Sequence, residues 1–176
     1  MTPEFQAADV DAAVEDARAL IQRFEIVAAP VPVERIARRL GVRVKYAPLD
    51  GDLSGMAYIA DGVKIIGVNA LHHSNRQRFT LAHELAHVMR HAPYLENEVH
   101  LDRGSLRRDW LASEGTDPLE IEANAFAAEL LMPRTLLDAA IDGRPIDIED
   151  DEVMGILARR FRVSATAMRF RLIRLA

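Results

Sequence analysis

No cysteine occurs among the 176 residues. That absence removes a disulfide framework, a thiolate zinc finger, an iron–sulfur cluster and a cysteine nucleophile together. A strongly bound metal must then be held by imidazole or carboxylate, which gives weight to the six histidines and the 27 acids. Also missing is any apolar run near the roughly 18–20 residues needed to cross a bilayer. The N-terminus carries acids where a secretory signal would carry a basic and then an apolar stretch. The expectation is a soluble, cytoplasmic protein without a membrane partner. Positive charge is not in excess either: the formal net charge is -5. Generic nucleic-acid binding draws on Lys and Arg neutralising phosphates, so this balance argues against it. With 49% hydrophobic residues the chain has enough apolar surface for one domain of ordinary size.

Hydrophobic periodicity divides the chain. Val10, Val14, Ala17, Leu20, Ile21 and Phe24 recur at helical spacing, opposite a polar face, and predict an amphipathic N-terminal helix within residues 1–29. Val33 to Leu40 predicts a second helix, begun at Pro32 and stopped by Gly41. Beyond Gly41 the period changes to that of strands. Runs around Val42–Tyr46, Met56–Ala60 and Val63–Val68, parted by Asp50-Gly51 and Asp61-Gly62, predict three strands in a small antiparallel or mixed sheet. Ser74 with Gln77 three residues on forms a capping-box pattern opening a helix that runs to about His91. Residues 94–116 read as a long polar connection with one helical turn. Pro118 opens a further helix that ends before Pro133. Residues 146–176 hold an acidic patch, Asp147 to Glu152, then two helices around Ile156–Phe161 and Ala165–Leu175. The expected class is α+β, mainly helical, with a metal-binding helix following the sheet. Residues 30–145 form its central unit, and the C-terminal segment packs on the same domain.

His83-Glu84-Leu85-Ala86-His87 is an H-E-x-x-H pattern inside the helix predicted from Ser74. Four helical residues advance about 400° and about 6 Å, so both imidazoles leave one face a turn apart and converge on one ion. Zinc suits such a pair, and its catalytic sites use three protein ligands. Glu84 lies about 100° round the helix from His83, off the ligand row but within reach of a bound water. The apolar neighbours bury the segment, where two histidines and a glutamate are costly without a ligand. His91 extends the row but sits roughly 12 Å along the axis from His83, too far to share the ion, and takes an outer or helix-end role. His72, His73 and His100 fall in loops and receive no assignment as ligands.

A third ligand must come from the helix after Pro118. Glu120, Ala123, Asn124, Ala127 and Leu131 share one face, and the alanines allow close approach to the metal helix. Glu120 is the first choice. Asn124 is then suited to orient a ligating histidine by accepting its second N–H. Glu122, which faces elsewhere with Phe126 and Glu129, is the second choice.

The blocks Arg78-Phe79-Thr80-Leu81-Ala82-His83-Glu84-Leu85-Ala86-His87 and Glu120-x-x-Ala123-Asn124-x-Phe126-Ala127-Ala128-Glu129-Leu130-Leu131-Met132-Pro133 resemble the ImmA/IrrE family of zinc metallopeptidases. The likeness extends to Ile36–Val42, Ile66–Asn69 and Leu157–Ser164, and so covers most of the chain from about residue 30. It implies a zincin-like (gluzincin-like) domain that binds Zn2+ through His83, His87 and Glu120, with Glu84 as catalytic acid/base. It also implies a regulatory endopeptidase acting on a helix-turn-helix, phage-repressor-like transcription regulator. Ala86 departs from the glycine often found in relatives, and is small enough to fill the same place. Tyr94, His100 and Arg107 are candidate donors to a developing oxyanion.

A different function class remains open on the residues themselves. The rhythm Ala158-x-x-Phe161-x-Val163-Ser164-x-x-Ala167-Met168 is that of a helix-turn-helix, and Arg159, Arg160, Arg162, Arg169, Arg171 and Arg174 make it the one basic region. The alternative is thus a non-proteolytic, zinc-containing regulatory module acting on a repressor or on DNA. Against DNA contact, Met168, Phe170 and Leu172 read as core, and the nearby acids are available to pair with these arginines.

Overall fold

The computed structural model describes residues 7–103 and 117–176. The fold is α+β, with a small mixed sheet embedded among helices. Helix α1 (Val10–Arg23) is capped by the Asp9 side chain, which accepts from the Ala12 amide, and buries Ala13, Ala17, Leu20 and Ile21. Helix α2 (Val33–Arg39) follows Pro32 and is ended by Gly41 at φ 79°, a left-handed conformation suited to glycine.

Among the described residues four strands form the sheet, in the order β1-β3-β2-β4, where three were expected. Strand β1 (Arg43–Ala47) runs parallel to β3 (Val63–Asn69), and β2 (Gly55–Ala60) runs antiparallel to β3. Asp61 and Gly62, at φ 50° and 74°, close the β2–β3 hairpin, as a two-residue Asp-Gly loop does when both residues take positive φ. The added strand, β4 (His100–Asp102), pairs antiparallel with β2 and falls inside the stretch expected to be a connection. It is too short for alternation to reveal it. The short helix α4 (Ala92–Leu95) begins two residues before that stretch and runs into it.

Helix α3 (Ser74–Arg90) lies across β2 and β3. Its N-cap is His73 rather than Ser74: the His73 ring nitrogen accepts from the Asn75 amide, while Gln77 Nε2 donates to the carbonyls of Ala70 and His72. The capping box is therefore not formed. Gly55 on β2 brings helix and sheet together, since a Cβ there would stand 2.5 Å from Thr80 Cγ2. Helix α5 (Pro118–Leu131) packs on both α1 and α3, and its Ala123 and Ala127 are fully buried. Helix α6 (Arg134–Ile141) comes next and has no counterpart in the sequence-based expectation.

Helix α7 (Asp151–Phe161) begins five residues earlier than its apolar period indicates, because the acids start it. Asp150 caps the amides of Glu152 and Val153, and Asp151 and Glu152 occupy the positive end of the dipole. Helix α8 (Ala165–Leu175) is capped by Ser164 and sends Arg171 inward, onto the Met132 carbonyl and the Glu129 carboxylate. Arg169 likewise turns back, to the Ile148 carbonyl and to Asp151. One apolar cluster runs from α1 through α2, the sheet, α3, α5, α7 and α8.

Candidate metal centre

Helix α3 delivers His83, Glu84 and His87 into the interior, with residue exposures of 0%, 0% and 2%. Facing them, the first turn of α5 delivers Glu120, and Asp117 caps that turn through the Leu119 amide. His83 Nε2 lies 3.2 Å from Glu120 Oε2, His87 Nε2 lies 3.1 Å from Glu120 Oε1, and the two Nε2 atoms are 3.2 Å apart. The three residues expected to ligate thus meet at one point. Glu122 does not join them. It accepts from the Asp9 amide, Arg90 and His91 on another side of α5.

The outer bonds define which ring nitrogens face inward. His83 Nδ1 donates to Asn124 Oδ1 at 3.0 Å, the orienting role expected of that amide. On the other histidine a relay does the same work. His91 Nε2 donates to Glu122 at 3.1 Å, so a neutral His91 has its Nδ1 free to accept the His87 Nδ1–H at 2.9 Å. His91 therefore takes the outer role expected of it. With both Nδ1 atoms donating, both Nε2 atoms carry lone pairs, and these confront a carboxylate that only accepts. Such a meeting of lone pairs is repulsive unless a proton or a metal cation lies among them.

His100, from sequence a candidate oxyanion donor and not a ligand, stands in the same cluster. Strand β4 places it opposite Ala57 of β2, and its ring stacks on that of His87 at 3.9 Å between centroids. His100 Nδ1 bonds Glu84 Oε2 at 2.9 Å, and Nε2 bonds Glu120 Oε1 at 2.9 Å. One ligand atom from each of His83, His87, His100 and Glu120 lies within 4.8 Å of the others. The shorter separations, 2.9 to 3.2 Å, are close to the edge of about 3.3 Å in a tetrahedron with metal–ligand bonds of about 2.0 Å. The borderline imidazole–carboxylate donor set fits zinc. Of the other oxyanion candidates, Tyr94 is 63% exposed on α4, and Arg107 lies outside the described residues.

Electrostatics point to the same need for a cation. Burial pushes the Glu84 carboxyl upward, against the bond from His100 and the charges of His83 and His100. Glu84 Oε1 is buried without a hydrogen-bond partner, a costly state that a water at this point would relieve. Burial also opposes charge on Glu120, but the bonds from His100, His83 and His87 outweigh it and hold this carboxyl well below the ordinary range. Burial drives His87 down to about 3, and with it the ring towards the neutral form a metal requires. His83 is raised and His100 is raised to about 10, in each case because neighbouring carboxylates overcome burial. Carboxylates that favour a proton on these rings equally favour a dication in its place.

Against known proteins, the peptidase family described as the IrrE N-terminal-like domain matches residues 37–173. The chain belongs to that family. Membership in this IrrE-like metallopeptidase family bears out the resemblance carried by the two motif blocks, and a His/Glu cluster able to hold a metal ion lies where those blocks meet. No curated protein matches the chain significantly. Among solved structures, a Mycobacterium tuberculosis transcriptional regulator is similar at a TM-score of 0.59 and 18% identity, over 92% of this chain. That likeness concerns the fold. The chain spans 55% of the length of that regulator. No helix among the described residues is long and apolar enough to cross a membrane.

Proposed function

We infer that this member of the family is a zinc-dependent regulatory endopeptidase whose substrate is a helix-turn-helix, repressor-like transcription regulator. His83, His87 and Glu120 hold the metal, and Glu84 is the catalytic acid/base. The observation that carries the reading is the meeting of two inward lone pairs and a carboxylate next to a buried glutamate with one unpartnered oxygen. Zinc bound there would lower the pKa of a water toward about 7 and polarise a scissile carbonyl.

The chain's own residues supply the rest. Glu84 Oε1 takes the proton from the attacking water and passes it to the leaving amine. Asn124 and the Glu122–His91 relay keep the Nε2 lone pairs of His83 and His87 aimed at the ion. The raised carboxyl of Glu84 matches the task of a group that must both accept and return a proton near neutrality.

Co-expression with a repressor-like regulator encoded beside the gene tests the reading. The wild-type chain is expected to cleave the regulator, and Glu84→Gln to bind zinc yet leave the regulator intact. Cleavage at the parent rate by the Gln variant would overturn the mechanism. A regulator relieved of its activity without being cut would instead support the non-proteolytic module.

A further inference from the structure

The three histidines of the centre are dressed alike. Each directs Nδ1 outward to a partner: Asn124 for His83, His91 for His87 and Glu84 for His100. Each directs Nε2 inward to Glu120, at 3.2, 3.1 and 2.9 Å respectively. An outer carboxylate on the second ring nitrogen is the usual companion of a metal-bound imidazole, because it fixes the tautomer and raises ligand basicity. His100 has that companion in Glu84, and its inward contact is the shortest of the three. Its position is also fixed by backbone, since His100 opens β4 opposite Ala57 and the strand continues in register with β2 through Met56↔Leu101 and Gly55↔Asp102.

From this common geometry we propose that His100 is a fourth protein ligand, giving the resting centre a closed shell of three imidazoles and one carboxylate. The proposal rests on the zinc reading above and deepens it. Catalytic zinc sites keep one position for water, whereas closed four-ligand shells hold zinc without reacting. His100 therefore acts as a stopper built into the edge of the sheet. It restrains the base as well, because its Nδ1 occupies Glu84 Oε2. Withdrawal of this one ring frees a coordination position and a carboxylate oxygen together. The side chain is 22% exposed, so it can be displaced without opening the core that buries His83. A substrate segment that displaces β4 from β2 would accomplish this, which makes the resting protein inert toward peptides that cannot compete for that edge.

X-ray absorption of the zinc-loaded full chain counts imidazole ligands directly and does not depend on activity. The wild type is expected to show three imidazoles. His100→Ala is expected to show two, with an added oxygen ligand, and affinity for zinc in chelator competition lower by about 100-fold, the upper end of what loss of an outer-shell partner costs. His100→Gln, which keeps a polar side chain on β4, serves as the second variant and is expected to lose the same imidazole. Circular dichroism checks that both variants keep the fold. Two imidazoles in the wild type, or affinity unchanged in both variants, would overturn the fourth ligand while leaving the zinc endopeptidase intact. A wild-type chain that takes up no zinc would overturn both.

Discussion

The two ends of α5 bury acids in opposite ways. Toward its C-terminus, Glu129 is 2% exposed and accepts from Arg171, from Arg18 Nε at 3.2 Å and from the Arg134 amide at 3.4 Å. That carboxylate is paired with cations supplied by the chain. Toward the N-terminus, Glu120 bonds His100 and meets the Nε2 atoms of His83 and His87, and Glu84 across the gap keeps a buried oxygen with no partner. The charge balance at one end is complete through arginine, and at the other it rests on protons carried by imidazoles, whose place a metal cation can take. Burial of charge alone thus does not mark a functional site; the mark is burial that the chain's own donors leave unsatisfied.

The largest effect expected at the unsatisfied end is on catalysis. Glu84→Gln should lower the rate of regulator cleavage by about 10²–10⁴-fold, the range for loss of a general base, with zinc content unchanged. Time-resolved cleavage alongside metal analysis reads both. At the satisfied end, Arg171→Ala leaves Glu129 buried with much of its pairing gone, and should cost about 3–5 kcal/mol in denaturant unfolding while one zinc per chain is retained. Equal damage to zinc binding would erase the distinction between the two ends. Asn124→Ala removes the acceptor for His83 Nδ1 and should weaken zinc by about 10–100-fold in chelator competition, with little change in fold.

A smaller effect concerns pH. Burial opposes charge on Glu122, but the Asp9 amide, Arg90 and His91 outweigh it, so its carboxyl titrates below the ordinary range. A carboxyl lowered in the folded state contributes stability that is full above its unfolded value of about 4.3 and is lost as pH falls through the lower folded value. Glu122→Gln lacks this contribution at every pH. The gap in Tm between wild type and variant should therefore narrow from about pH 6 to about pH 3. A gap that widens on acidification would contradict the assignment of Glu122 as an ionised outer partner.

Much of this contrast was legible in the sequence, and the reasons differ by element. Helices α3 and α5 carry three or more turns of periodic apolar residues, and the proline at Pro118 fixes where α5 begins. The i, i+4 spacing of His83 and His87 and the shared face of Glu120 and Asn124 follow from helical geometry alone. His100 was hidden because β4 has three residues, held by pairing with β2 rather than by local preference. Helix α6 is no shorter than α2, and its bounds carry signals, Pro133 before it and Asp142 at φ 54° after it, that the expectation leaves unused. The sheet order was also out of reach, since the parallel β1–β3 pair joins strands that are not neighbours in the chain. The relay from Glu122 through His91 to His87 joins α5 to the end of α3, and only tertiary packing brings its members together.

Zinc content after gentle chelation, measured side by side on the wild type and Glu120→Ala, tests the central claim most directly. One zinc per wild-type chain, with most of it lost from the Glu120 variant while the fold persists, is the predicted result. A wild type that purifies and reconstitutes without zinc, or a Glu120 variant that holds the ion as tightly as its parent, would contradict the account.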